Sequence, residues 1–255
     1  MRLAVYTLWR REIVRFMRQR SRLMGALLQP IVFWLLLGGG LSPSFRPPGA
    51  TGGEGFMSYF YPGVLALVLL FTAIFATIAV VEDRKSGFLQ GVLVAPISRT
   101  TIVLGQSCGA TTLAVLQGVL CLALAPVAGI SLTVGRVLAA TGIMTLIGFA
   151  LCNLGLAIAW RMESTQGFHA IMNLVLMPMW FLSGAFFPSA GLPGVLAWLM
   201  RLDPLTYGLA ALRASLLAQP PVGLPSMAVS LGVTAVFAGV MLAVAVAAAR
   251  RSATL

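Results

Sequence analysis

Long uncharged stretches alternate with short charged ones along this chain. Residues 55–81 pass 27 positions without a charge and residues 100–135 pass 36. Between them stands "EDRKSGFLQGVLVAPISR", Glu82 to Arg99. About 20 apolar residues suffice for a helix to cross the hydrocarbon of a bilayer. Six such segments are predicted, at about 23–41, 59–81, 101–127, 136–160, 167–187 and 224–249. Water is absent from the bilayer core, so each must satisfy its own backbone hydrogen bonds as a helix. Pro30, Pro126 and Pro178 lie inside these spans or near their ends. Neighbouring helices can re-satisfy the carbonyls that proline frees, and such prolines predict kinks.

The segments outside the spans differ in kind. In residues 1–22, Tyr6, Trp9, Ile13, Phe16 and Met17 recur at steps of three and four, and Arg11, Arg15, Arg18 and Arg22 do the same on the opposite face. That double stripe predicts an amphipathic helix lying in the membrane plane, aromatics down and arginines toward lipid phosphates. Residues 42–57, "SPSFRPPGATGGEGFM", form a Pro/Gly-rich loop. The run 190–222 holds two apolar pieces, each too short to span, opened by Pro193-Gly194 and separated by Asp203-Pro204. Trp198, Leu199, Met200, Leu209 and Leu212 are too apolar for a plain surface loop. A re-entrant helix pair dipping into the outer leaflet fits them, because a broken helix at membrane depth must be sheltered by protein.

Composition agrees. Of 255 residues 59% are hydrophobic and 9% charged, whereas a soluble domain carries about 25% charged residues. The net charge is +11, with seven arginines in the first 22 positions. In so apolar a chain this excess reports topology and an anionic membrane face, not nucleic acid. An even number of spans puts both termini on one side. With that side cytoplasmic, 13 basic residues lie inside and four, Arg46, Arg136, Arg201 and Arg213, lie outside. The positive-inside rule selects this orientation. Cys108, Cys121 and Cys152 sit in apolar segments without CxxC spacing and read as inert thiols. Arg10-Arg11 resembles a twin-arginine signal. However, Gln29-Pro30 interrupts the apolar run and no A-x-A cleavage site follows, so 1–41 is expected in the mature protein.

Catalytic chemistry is sparse. His169 is the sole histidine and reads as a packing or helix-end residue. Ser183 lies in Leu-Ser-Gly-Ala, without the Gly-x-Ser-x pattern and later histidine of rhomboid-type membrane proteases. No HExxH is present, and no metal or cofactor is expected on this chain. Glu12, Glu54, Glu82, Asp83, Glu163 and Asp203 all fall outside the spans or at their ends, which leaves no obvious proton relay. There is no GxxxxGK[ST], so this chain has no nucleotide site of its own. If it moves a substrate, another chain supplies the energy.

Two stretches carry a family resemblance. "VEDRKSGFLQGVLVAPISRTTIVLGQ", Val81 to Gln106, resembles the first cytoplasmic loop of type-2 ATP-binding-cassette (ABC) transporter permeases. From Arg161 to Leu216, Pro178, Phe181-Leu182-Ser183-Gly184, Phe187-Pro188, Leu192-Pro193 and Pro204-Leu205-Thr206-Tyr207 resemble that family's C-terminal signature. Drug-resistance and nodulation-factor exporter permeases are similar members. One departure is Gln90, where the family often has an acidic residue.

The resemblance implies a dimer of permeases that binds two copies of a separate ABC ATPase, which uses ATP and Mg. It implies a coupling helix within 82–99, with Glu82, Asp83, Arg84, Lys85, Gly87, Phe88, Leu89, Leu93, Pro96 and Arg99 as ATPase-coupling residues. It also implies an outer gate at Gly184, Phe187, Pro188, Pro193, Pro204 and Tyr207. Phe88, Leu89, Val92, Leu93, Val94 and Ile97 would stand exposed in a free loop, which argues for a soluble partner there.

The expectation is therefore an all-α integral membrane protein with six transmembrane helices in a single domain, 1–255. An N-terminal interfacial helix and a re-entrant pair complete it. It is expected in the inner membrane of a prokaryote, as the permease half of an ATP-driven exporter for an amphipathic or lipid-linked substrate. A non-ATP-driven channel or a membrane-complex assembly factor is the alternative.

Overall fold

The computed structural model describes residues 2–41, 55–187, 194–217 and 225–251. Regular elements among them are all helical. Helix α1 (Arg2–Arg18) precedes α2 (Arg20–Leu41). Helix α3 (Phe56–Thr77) runs on through α4 (Ala79–Lys85), and α5 (Phe88–Val94) is short. Next come α6 (Arg99–Leu122), a 3-10 turn (Ala125–Ala128), α7 (Val134–Ala159), and α8 (Thr165–Trp180), which passes into a π turn (Phe181–Ala185). Two short helices, α9 (Gly194–Leu202) and α10 (Pro204–Leu216), lead to α11 (Met227–Arg251).

Six helices are long and apolar enough to span: Arg20–Leu41, Phe56–Lys85, Arg99–Leu122, Val134–Ala159, Thr165–Ala185 and Met227–Arg251. The chain is an all-helical, multi-pass membrane protein, as the hydrophobic pattern predicts. The second span is the longest at 30 residues, or about 45 Å at 1.5 Å per residue. Hydrocarbon is only about 30 Å thick, so one end must leave it. Glu82–Lys85, read in the sequence as the start of a loop, is instead the last turn of this long helix.

Helix α3 is the axis of the bundle, buried almost throughout between α2, α6, α7, α8 and α10. Its hydrophobicity on all sides is what a fully enclosed helix requires. By contrast α2 and α11 are open along most of their length. Close helix contacts use small residues, as expected where lipid removes the hydrophobic drive between spans. A methyl group on Gly63 would come within 2.8 Å of Ala185, and one on Gly208 within 2.8 Å of Ile147. Helix α1 seats Leu8 and Glu12 over Gly105 and Gly109 of α6, where a methyl on either glycine would lie 2.7 Å from the Cβ above it.

Prolines 30, 62 and 178 sit within helices, and Pro126 falls in the 3-10 turn. The sharp breaks come elsewhere. Gly87 turns the chain from α4 to α5 at φ 78°, and Gly184 breaks the π turn from within at φ 80°. Only glycine adopts that left-handed region without a Cβ penalty.

Candidate coupling site and outer break

At one end of the bundle the last turn of α4 presents Glu82 and Asp83 to three arginines. Arg11 Nη1 and Nη2 donate to both Asp83 oxygens at 2.7 Å, a bidentate fork. Arg15 donates to Asp83 Oδ1 and to Glu82 Oε2, each at 2.6 Å. Arg22, from the first turn of α2, pairs with Glu82. Asp83 is only 3% exposed. A carboxylate so desolvated requires paired cations, because a lone buried charge is costly. The spacing of Arg11 and Arg15, one helical turn apart, points both at the same carboxylate.

This corrects the expected role of the arginine stripe. Arg11, Arg15 and Arg22 face the carboxylates that close the second span, not lipid phosphates. Arg2, Arg10, Arg18 and Arg20 remain on the surface. Glu12, one position from Arg11, is buried against α6 and accepts from Arg11 at 3.1 Å. Burial pushes its carboxyl up to about 7, against the pull of Arg11, with the Asp83 charge adding to the rise.

The network holds α5 in place. Arg11 lies over the Phe88 ring, its guanidinium carbon 3.8 Å from the centroid. Arg84 faces the other way and donates to the carbonyls of Trp160 at 2.6 Å and Met162 at 2.9 Å, past the end of α7. Its side chain is thus tied to its own chain. Lys85, Gly87, Gln90, Gly91 and Pro96 are exposed, and Arg99, half-buried, opens α6.

The short helix is itself two-sided. Leu89 is 3% exposed, and Val92, Leu93 and Ile97 are half-buried against the core. Phe88 is 41% exposed and Val94 is 85% exposed. The free apolar edge is therefore Phe88 and Val94, with Gly91 one turn between them. It is narrower than the sequence alone suggests.

At the opposite end, α10 places Arg213 under the break in the fifth span. Arg213 is buried, and Nη2 donates to the Gly184 carbonyl at 2.6 Å and to that of Ala185 at 3.4 Å. Its guanidinium carbon stands 4.3 Å from the Tyr59 ring centroid, and the Tyr59 hydroxyl donates to the same Gly184 carbonyl at 3.3 Å. Among the described residues no carboxylate pairs with Arg213. The sequence reading counted it only as an external positive charge. The signal was there: a single cation within "LAALRASLLA", where an intramembrane ionisable residue is functional by default.

Of the expected gate residues, Gly184 forms the break and Phe187 is half-buried beside it. Pro204 opens α10 behind Asp203, whose carboxylate caps the helix by accepting from Leu205 N at 2.9 Å. Tyr207 donates to the Arg201 carbonyl at 3.0 Å. Pro188 and Pro193 lie outside the described residues. Trp198 is 64% exposed on the surface of this chain.

Among the described residues no cluster of His, Cys, Asp or Glu is arranged to hold a metal. His169 packs against Phe75 at 6.0 Å between centroids. Ser183 donates to the Trp180 carbonyl at 2.6 Å.

Comparison with known proteins gives this geometry its context. Residues 4–217 match the family described as "ABC-2 type transporter". This chain belongs to the ABC-2 type transporter family. Relatives of this ABC-2 chain are named as nodulation proteins and transport permeases. Nodulation protein J of Rhizobium leguminosarum bv. trifolii is 30% identical over 221 residues, covering 84% of this chain and 81% of that one. Nodulation protein J of Rhizobium meliloti (strain 1021) is 28% identical over 217 residues, covering 83% and 80%. The putative transport permease ycf38 of Cyanophora paradoxa is 25% identical over 213 residues, covering 82% and 72%. The family and the spans together make this a multi-pass membrane permease of a transport system.

Proposed function

We propose that this chain is the permease half of an ATP-driven exporter, working as a dimer with two copies of a separate ABC ATPase. The observation that carries this reading is the edge of α5. Phe88 and Val94 stand exposed on a helix that is fixed from behind by Arg11 and by the buried Leu89. A rigidly backed apolar edge with charged and polar neighbours suits the core of a protein interface. The α3–α4 helix supplies a continuous lever from this edge to the centre of the bundle.

In this reading residues 82–99 and both termini face the cytoplasm of a prokaryotic cell, as the basic residues argue. ATP and Mg are bound by the partner and not by this chain. Helices α9 and α10 form a re-entrant pair at the outer end, with Gly184, Phe187, Pro204 and Tyr207 in the gate; Pro188 and Pro193 are assigned there from the sequence. The cargo is amphipathic or lipid-linked. Support comes from the apolar groove between α2 and α8, about 620 Å³, walled by Leu28, Phe33, Phe71, Trp180 and Phe181.

The test is to copurify the permease with its cognate ATPase and measure ATP-dependent export in vesicles. A permease that binds no ATPase and conducts without ATP is the channel of the alternative reading.

A further inference from the structure

A second groove lies away from the coupling site, between the first turns of α1 and the flank of α6. Arg2, Val5, Tyr6, Trp9 and Cys108 line a trough of about 630 Å³, within the size range of small-molecule sites, roughly 300–1,000 Å³. Its walls are fixed. Tyr6 and Trp9 stack with centroids 5.6 Å apart, and the Trp9 indole N–H donates to Thr112 Oγ1 of α6 at 3.0 Å. Arg2 is the one charged side chain at its edge. Arg2 and Arg10 are exposed and have no carboxylate partner among the described residues, whereas Arg11, Arg15 and Arg22 are taken up by Glu82 and Asp83. The outward face of α1 mixes Leu3, Tyr6, Val14 and Met17, all exposed, with Arg10. Aromatic rings and arginines interleaved in this way belong at the boundary of lipid and water.

We propose that this trough holds an acyl chain of an anionic phospholipid of the bilayer, with Arg2 on the phosphate and Arg10 adding to the attracting field. The shape and the charge select this occupant together. A trough walled by carbon with one cation at its rim fits an anionic amphiphile. An acidic peptide would find little beyond the Tyr6 hydroxyl to hydrogen-bond along the walls, and a free phosphate would leave the trough unfilled. The site has a consequence for coupling. Helix α1 carries Arg11 and Arg15, so a lipid that fastens its first turns to α6 also steadies the arginines that hold Asp83 and Phe88.

The experiment needs no ATPase, so its failure would leave the transport reading intact. The full-length permease is placed in phosphatidylcholine nanodiscs doped with a trace of photoreactive lipid. The dopant is phosphatidylglycerol or phosphatidylcholine, each with a diazirine in one acyl chain. Labelled peptides are mapped by mass spectrometry. Phosphatidylglycerol should label the peptides bearing Val5 to Trp9 and Cys108 about fivefold more than phosphatidylcholine does, the factor given by about 1 kcal/mol per basic residue near an anionic surface. Arg2→Gln should erase that excess, while labelling of the open faces of α2 and α11 is unchanged. Val5→Trp, which fills the trough, should remove labelling of Cys108 by both lipids. Equal labelling by the two lipids in the unaltered protein overturns the proposal. So does labelling of the trough no stronger than that of α2 and α11.

Discussion

Arg11 of α1 and Phe88 of α5 lie far apart in the sequence and meet face to face, the guanidinium carbon 3.8 Å from the ring centroid. The cation that grips Asp83 thereby also positions the aromatic ring at the exposed edge of α5. Interface energy usually concentrates in a few such anchors, each worth about 2 kcal/mol or more on truncation. Phe88→Ala should leave the permease inserted and dimeric but release the ATPase or uncouple export from ATP hydrolysis. Pro96→Ala should do less, since it removes a turn constraint and little buried surface. Copurification with the ATPase, followed by export assays in vesicles, decides between them. Normal binding and export by Phe88→Asp would remove α5 from the coupling site.

The ion network makes a separate prediction about stability. Asp83 is buried and accepts from two arginines, while Glu82 is more open. Removing one partner of a fully buried pair costs about 3–5 kcal/mol; the loss here is smaller, because Arg11 and Arg15 are partly exposed and keep Glu12 and Glu82. Asp83→Asn should therefore lower the thermal stability of the detergent-solubilised permease well below that of Glu82→Gln, read by size-exclusion after heating. Equal losses for the two variants would show that burial of Asp83 is not what the arginines serve.

Much of this was legible in the chain, and the limits have physical causes. The six spans follow from uncharged length, because lipid imposes one strong rule on every residue of a span. The break at Gly184 and the start of α10 at Pro204 follow from residues whose backbone chemistry admits few alternatives. The arginine stripe of α1 was visible, but its partners were not, since pairing Arg11 with Asp83 bridges 72 positions of sequence. Leu89 and Phe88 look alike in a list of apolar residues. Only the direction of a seven-residue helix separates the buried one from the exposed one. The contact of Arg213 with the Gly184 carbonyl was not legible, because it depends on the kink of another helix.

Glu12 supplies a dependence on pH. Its carboxyl is raised from 4.5 to about 7 by burial against α6. A group raised on folding contributes most when protonated, so seating of α1 is strongest below about pH 4.5. It weakens as pH rises through 7 and is level above that. Hydrogen exchange of the α1 amides should accordingly speed up between about pH 4.5 and 7, after correction for the intrinsic rate. Glu12→Gln should flatten that rise. A slope of the opposite sign would mean that Arg11 outweighs burial at this carboxyl.

The proposed topology rests on 13 basic residues against four. Single cysteines introduced as Ser44→Cys and Ser86→Cys in a cysteine-free background should be labelled by an impermeant maleimide from opposite faces of the membrane. Labelling from the same face would remove the single crossing between them, the second span, and with it the six-span arrangement.

The outer break depends on Gly184 and Arg213 as a unit. Gly184 stands at φ 80°, and an added Cβ would approach Met200 Cε to 3.0 Å. Forcing an L side chain into the left-handed region costs about 1–2 kcal/mol. Its carbonyl, freed by the break, is satisfied by Arg213 and Tyr59. Arg213→Leu keeps bulk but leaves that carbonyl with only the Tyr59 hydroxyl. Arg213→Lys keeps the charge but loses the guanidinium Nη2 that donates to both Gly184 and Ala185. Both variants should therefore loosen the outer helices, with Arg213→Leu the more severe. Trp198 provides the readout: it is exposed on α9, so lipid or a second copy must cover it if these helices are re-entrant. With the other four tryptophans replaced, aqueous iodide should quench Trp198 weakly in liposomes. Quenching should rise several-fold in Arg213→Leu. Strong quenching already in the unaltered arrangement would make α9 and α10 a surface hairpin, and Arg213 would then be a fastening of the fifth span alone.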